Sequence, residues 1–167
     1  MASPVAVAWD TTSAARLRPD SAAHELALTQ WRAADPMAVT ATTLMEIEYG
    51  LAKLAKSKPA AAVQSDWLDA EIDAGVVVVL DFNERAASIT GALRAAQPAP
   101  PTTGRRPRDR SKADNRMAWI CDLQTVATAY AHGYALASAD AHHVAIVGLL
   151  ATIAPGTPAL RVVVPPV

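Results

Sequence analysis

The sequence is poor in the residues that staple a fold or cradle a cofactor. Its 167 residues include one cysteine, Cys121, which excludes a disulfide framework and a thiolate zinc cluster. Seven glycines lie scattered, and none makes the G-x-G-x-x-G or Walker pattern that holds phosphates. A G-x-S-x-G nucleophile turn is missing too. Aromatics are 5% of the chain, so the core must be alanine and aliphatic side chains, which suits closely packed helices. The longest uncharged apolar run, residues 144–154, has 11 residues, against roughly 20 for a membrane span. The opening Met1-Ala2-Ser3-Pro4 lacks the basic flank and apolar core of a signal peptide. A soluble cytoplasmic protein with no membrane partner is expected.

What the chain does have is apolar side chains and unevenly distributed charge. Hydrophobic residues make up 51%, charged residues 19%, and mean hydropathy is +0.15, which excludes global disorder. A chain of this length buries about two-thirds of its unfolded surface and reads as a single domain over 1–167. Its net charge of −1 hides a division. Residues 105–116 carry six bases (Arg105, Arg106, Arg108, Arg110, Lys112, Arg116) and two acids, whereas the rest carries nine bases and fourteen acids. The basic segment is the candidate nucleic-acid contact, since polyanions bind through such charge. A solvated loop explains it equally simply, and without interleaved aromatics it offers no base stacking.

Hydrophobic patterning predicts strands at 5–9, 37–40, 76–80, 134–138 and 160–164. The uninterrupted β-branched run at 76–80 predicts a strand buried on both faces. Helices are expected over 21–34, from a Thr43-Leu44-Met45-Glu46 capping box to about 56, and from Pro59 to Gly75. Three more are expected over 83–97 behind an Asn83 cap, over 111–132 closed by Gly133, and over 141–150. The Pro/Arg-rich stretch at 98–112 is the one long loop. Strands alternating with helices imply an α/β fold: three layers, α/β/α, around a central parallel sheet of about five strands.

In such sheets functional groups collect beyond the C-terminal strand ends. Asp10 follows the first strand, Glu46 opens the helix after the second, and Asp140 follows the strand ending at Ser138. From Asp122 to His132 the helix descends about 15 Å. The strand returns roughly 20 Å to Asp140, back to the level of Asp122. Asp10, Glu46 and Asp140 can each be read as a helix cap. Asp122 lies between apolar turns, where an unpaired carboxylate is costly. Four carboxylates at one edge repel unless a cation neutralises them, and oxygen ligands favour Mg²⁺ or Mn²⁺. The histidines give no i, i+4 metal pair, and His142 and His143 read as partly exposed helix residues. Cys121 reads as a small buried apolar residue rather than a nucleophile.

With these residues in order, the chain resembles PIN-domain ribonucleases, specifically VapC-like toxins of toxin–antitoxin pairs. Asp10-Thr11-Thr12 is similar to the family's Asp-Thr-Asn/Ser start, with Thr12 standing where Asn or Ser is usual. Residues 40–51, T-A-T-T-L-M-E-I-E-Y-G-L, resemble its second motif. Residues 122–133, D-L-Q-T-V-A-T-A-Y-A-H-G, resemble the third, and 135–140, A-L-A-S-A-D, the fourth. A register placing Met117 at the third acidic position fits the downstream spacing less well than Asp122 does. Glu48 lies outside the motif and points away from Glu46. The resemblance implies that Asp10, Glu46, Asp122 and Asp140 bind Mg²⁺ or Mn²⁺, with Thr12 and Ser138 supporting them. It further implies RNA cleavage, a homodimer, and inhibition by a cognate VapB-like antitoxin.

Two other readings compete. A catalytically inert PIN-like binding module would use the same acids as caps. A receiver-type domain phosphorylated at Asp10 would want a late lysine, but the last one, Lys112, precedes the final two strands.

Overall fold

The computed structural model describes residues 6–15, 37–101, 112–155 and 159–163. The helix expected over 21–34 lies outside them, as does most of the loop at 98–112. Five strands, β1 (Val7–Trp9), β2 (Met37–Thr40), β3 (Val77–Leu80), β4 (Ala135–Ala137) and β5 (Val162–Val163), form one sheet. Its order is β3-β2-β1-β4-β5, and every pairing is parallel. The helices are α1 (Thr11–Ala14), α2 (Ala41–Ala55), α3 (Ala60–Asp73), α4 (Glu84–Ala96), α5 (Lys112–His132) and α6 (Ala141–Ile153). Among the described residues, no helix is long and apolar enough to cross a membrane.

Strand side chains alternate between faces, so each strand supplies two cores. Ala8, Ala38 and Leu136 pack with Leu93 of α4, Trp119, Leu123 and Val126 of α5, and Ile146 and Leu150 of α6. Trp9, Met37, Val39 and Ala137 turn the other way, onto Ala14 of α1, Ile47 and Leu51 of α2, and Ala61 and Leu68 of α3. The expected three layers are the result. Alanines on the strands let the helices approach closely, and the large side chains come mainly from the helices. Trp119 also ties α5 to α4, its indole N–H donating to the Gln97 carbonyl at 3.0 Å.

The helix ends follow local rules. Asn83 caps α4 by accepting from the Ala86 N–H. Gly133 adopts φ +75° after α5, and the Tyr134 N–H reaches back to the Ala129 carbonyl, as in a Schellman closure. Two expectations need correction. The cap of α2 is Thr40, which accepts from the Thr43 N–H, so the helix begins directly at the end of β2 and Glu46 lies in its second turn. A capping box at Thr43 is ruled out because Thr40 offers the same hydroxyl three residues earlier, in extended backbone. The β-branched strand β3 is a sheet edge, with Val78 and Val79 only half-buried. Branched side chains favour extended backbone without specifying a central place in the sheet.

Candidate active site

The register of the three central strands sets the site. Trp9 is level with Val39 and Ala137, and the Asp10 N–H donates to the Ala137 carbonyl at 3.1 Å. Asp10, Thr40 and Ser138 therefore leave the sheet at one edge. Asp10 is 1% exposed and caps α1, its Oδ1 accepting from the Ser13 N–H at 2.7 Å. Its Oδ2 accepts a short hydrogen bond from the Ser138 hydroxyl. Burial raises the Asp10 pKa, but the bonds to His143, Ser13 and Ser138 outweigh it and bring the carboxyl down to about 2.

His143 is the surprise. Expected to be partly exposed, it is buried at the centre of the acidic edge. Its Nδ1 lies 2.7 Å from Ser138 Oγ and 3.4 Å from Asp10 Oδ2, and its Nε2 lies 3.5 Å from Asp122 Oδ1. Burial pushes the imidazole pKa down, yet Asp10 and Asp122 outweigh it and raise it to about 9. The missed signal was periodicity: His143, Ile146 and Leu150 share the buried stripe of α6. His142 points elsewhere, its Nδ1 3.4 Å from Asp122 Oδ2 and its ring edge-on to Trp119.

The four expected acids are not equivalent. Asp122, partly buried, faces both histidines. Glu46 accepts from the Thr11 hydroxyl rather than capping its own helix. Cys121 adjoins Glu46 and Asp122; burial first, and then those two charges, push its thiol up to about 11. It stays protonated at neutral pH, consistent with a buried apolar role. Asp140 is exposed and caps α6, accepting from the His142 N–H at 2.7 Å, while its own N–H donates to Ser138 Oγ. The fold thus brings Asp10 and Asp122 onto one imidazole, sets Glu46 against Thr11 and near Cys121, and leaves Asp140 at the rim.

The expected supporting residues divide. Ser138 links Asp10, His143 and the Asp140 backbone. Thr12 is exposed, and among the described residues no hydrogen bond joins it to the acids. Successive residues of a helix point about 100° apart, so Thr11 faces Glu46 and Thr12 does not. Glu48 turns to α3, accepting from the Ser65 hydroxyl. Arg116 is exposed on α5, whereas Arg105, Arg106, Arg108, Arg110 and the side chain of Lys112 lie outside the description. A cavity of about 320 Å³ lies at the opposite end of β4, lined by Arg85, Tyr130, His132 and Arg161 among others, and holds none of the acids.

Among the described residues, no three His, Cys, Asp or Glu side chains surround one point as ready-made metal ligands. The fit to a divalent ion is one of donor chemistry. Asp10, held ionised, and the partly buried Asp122 offer the carboxylate oxygens a divalent ion takes, while the His143 imidazole, its pKa raised, already places positive charge between them.

No curated protein matches the sequence. Solved structures do resemble the fold. VapBC2 from Rickettsia felis, bound to a DNA fragment from its promoter, matches with a TM-score of 0.58 and 18% identity, covering 94% of this chain and 96% of that one. FitAcB from Neisseria gonorrhoeae matches with a TM-score of 0.58 and 20% identity over 95% and 97% of the two chains. VapBC-5 from Mycobacterium tuberculosis, of the VapBC family of toxin–antitoxin systems, matches with 0.54 and 21% over 96% and 99%. Such identities speak for the fold alone. The PIN domain family matches the sequence itself over residues 8–149. With a parallel sheet in the order β3-β2-β1-β4-β5 and an acidic edge beyond its central strands, the chain belongs to the PIN domain family.

Proposed function

We propose that this chain is a metal-dependent endoribonuclease, a VapC-like toxin that hydrolyses RNA phosphodiester bonds in the cytoplasm and is inhibited by a cognate VapB-like antitoxin. The observation that carries this reading is Asp10: a carboxylate 1% exposed at the end of the central strand, held ionised, and facing Asp122 across a buried ring. A buried anion beside a second one is costly; the His143 ring offsets part of that cost, and a divalent cation reached by Asp122, Glu46 and Asp140 would offset the rest. Asp10, Asp122 and Glu46 would hold Mg²⁺ or Mn²⁺, with Asp140 reached from the rim. When bound, such an ion lowers the pKa of water and neutralises charge on the phosphate. The chain's own residues do the positioning. Ser13 and Ser138 fix the Asp10 carboxylate, Thr11 orients Glu46, and the segment at 105–116 supplies the attraction for RNA. A homodimer is proposed with this reading, as the resemblance implies.

Purified protein should cleave RNA with Mn²⁺ or Mg²⁺, and Asp10→Asn and Asp122→Asn should each lower the rate by at least about 100-fold. Wild-type protein that binds RNA but cuts none with either metal would instead favour an inert binding module. A small antitoxin-like reading frame lying just upstream would test the antitoxin: its product should co-purify and suppress cleavage.

A further inference from the structure

The cavity of about 320 Å³ at the opposite end of β4 takes no part in the acidic edge, and its walls carry charge of one sign. Arg85, Tyr130, His132, Tyr134, Leu160 and Arg161 line it, and among the described residues no Asp or Glu does. We propose that this cavity binds a nucleoside monophosphate, its phosphate held by Arg85 and Arg161 and its base against the tyrosine rings. The proposal stands apart from the nuclease reading, which uses the other end of β4.

The end of α5 builds the cavity. Gly133 stops the helix at φ +75°, its N–H donating to the Tyr130 carbonyl, so Tyr130 and Tyr134 flank one tight bend. Across from them, the Leu136 N–H donates to the Arg161 carbonyl at 2.8 Å, which fixes the Arg161 backbone beside β4. Arg85, at the start of α4, stands with its guanidinium 5.7 Å from the centroid of the Tyr130 ring. It donates one long bond, 3.4 Å, to the Ala131 carbonyl, which leaves most of its N–H donors free.

Charge decides the class of ligand. Among the described residues neither arginine is paired with a carboxylate, the ion pairs there being those of histidines. His132 is already engaged, its Nε2 3.0 Å from the Asp81 carbonyl and 3.2 Å from the Asp81 carboxylate. The end of α5 brings partial negative charge and the adjoining start of α4 partial positive charge, so the helix ends offset and the guanidinium groups set the sign. A carboxylate would answer one of them. A phosphate monoester carries about −1.5 to −2 at pH 7 and offers oxygens that arginine forks take in pairs. The Tyr130 hydroxyl is buried without a hydrogen-bond partner, an unmet donor of the kind an anionic oxygen takes. Phenol and guanidinium faces stack on any base, and the volume, near the lower end of the roughly 300–1,000 Å³ of small-molecule sites, suits one small ligand rather than a polymer.

The test uses the full chain in EDTA, so that nothing binds through a metal. Calorimetry should show AMP binding with a Kd below about 1 mM. Arg85→Gln and Arg161→Gln, both at exposed positions, should each weaken it at least about tenfold, while Asp10→Asn leaves it within about threefold. Inorganic phosphate and adenosine should each bind at least about tenfold more weakly than AMP, since each offers only part of the ligand. In ¹⁵N spectra of wild type, AMP should shift the amides of residues 131–135 and 159–161 and leave those of Asp10 and Asp122 in place. A 5′-phosphorylated RNA trinucleotide that binds like AMP, when its 5′-hydroxyl form does not, assigns the site to RNA ends; AMP binding alone assigns it to free nucleotide, and both support the proposal. No AMP binding up to about 10 mM, unchanged affinity in both arginine variants, phosphate binding as tightly as AMP, or shifts confined to the acidic edge would overturn it.

Discussion

Metal-free protein should lose about 3 kcal/mol of stability between pH 6 and pH 10, and His143 is the reason. Its pKa rises from 6.5 to about 9 on folding, against burial, because Asp10 and Asp122 favour the charged ring. A group whose folded pKa is raised contributes fully below its unfolded value, here 6.5, and that contribution is lost as pH climbs through about 9. Two and a half pH units at about 1.36 kcal/mol each yield the figure. Solvent screening reduces it little, since the side chain is 7% exposed. Asp10 works in the opposite direction, its pKa falling from 3.8 to about 2, so its contribution is present above 3.8 and lost as pH falls through about 2. The two shifts share one ion pair and are not added. Urea denaturation in EDTA at pH 6, 8 and 9.5 reads the effect. With a slope of about 2 kcal/mol/M, the midpoint should fall by roughly 1.5 M over the full range. His143→Phe should flatten this alkaline limb. A wild-type midpoint that stays level, or a variant that falls just as far, would refute the coupling of His143 to the carboxylates.

Three further outcomes are expected. Thr40→Ala should cost about 1–2 kcal/mol by urea denaturation, since Thr40 is fully buried and caps α2, while Thr40→Ser should recover most of it. Gly133→Ala should cost about 1–2 kcal/mol from backbone strain alone, because φ is +75° and an added Cβ meets nothing within 4 Å; a larger loss of melting temperature would point to a contact the glycine hides. Leu123→Ala, next to Asp122 but fully buried in the α4–α6 core, should cost about 2–5 kcal/mol while leaving metal affinity measured below the unfolding transition within about threefold.

The central site was partly legible in advance. Asp10, Glu46 and Asp122 could be placed because each follows a strand or rides a helix whose length sets its height above the sheet. Asp140 takes the helix-cap alternative that its sequence position allows, with its side chain on α6 at the rim. An adjacent His142-His143 pair reads as two partly exposed helix residues until the phase of α6 is counted. Set beside Ile146 and Leu150, His143 belongs to the buried face. Thr12 and Thr11 differ by one residue, and a four-residue helix has too little pattern to say which one turns inward.

Local chemistry determined where strands and helices form. The β-branched run of β3, the Asn83 cap and the positive-φ glycines at 75 and 133 act through their own backbone dihedrals and nearest neighbours, which any reader of the chain can assess. Only the tertiary structure decided that β3 lies at an edge and that an imidazole stands between the acids. Those outcomes depend on contacts between distant residues, such as the bond from Ser138 to Asp10, 128 positions apart. Sequence spacing supplies each element's periodicity, but packing of the elements sets the phase that selects which side chains meet.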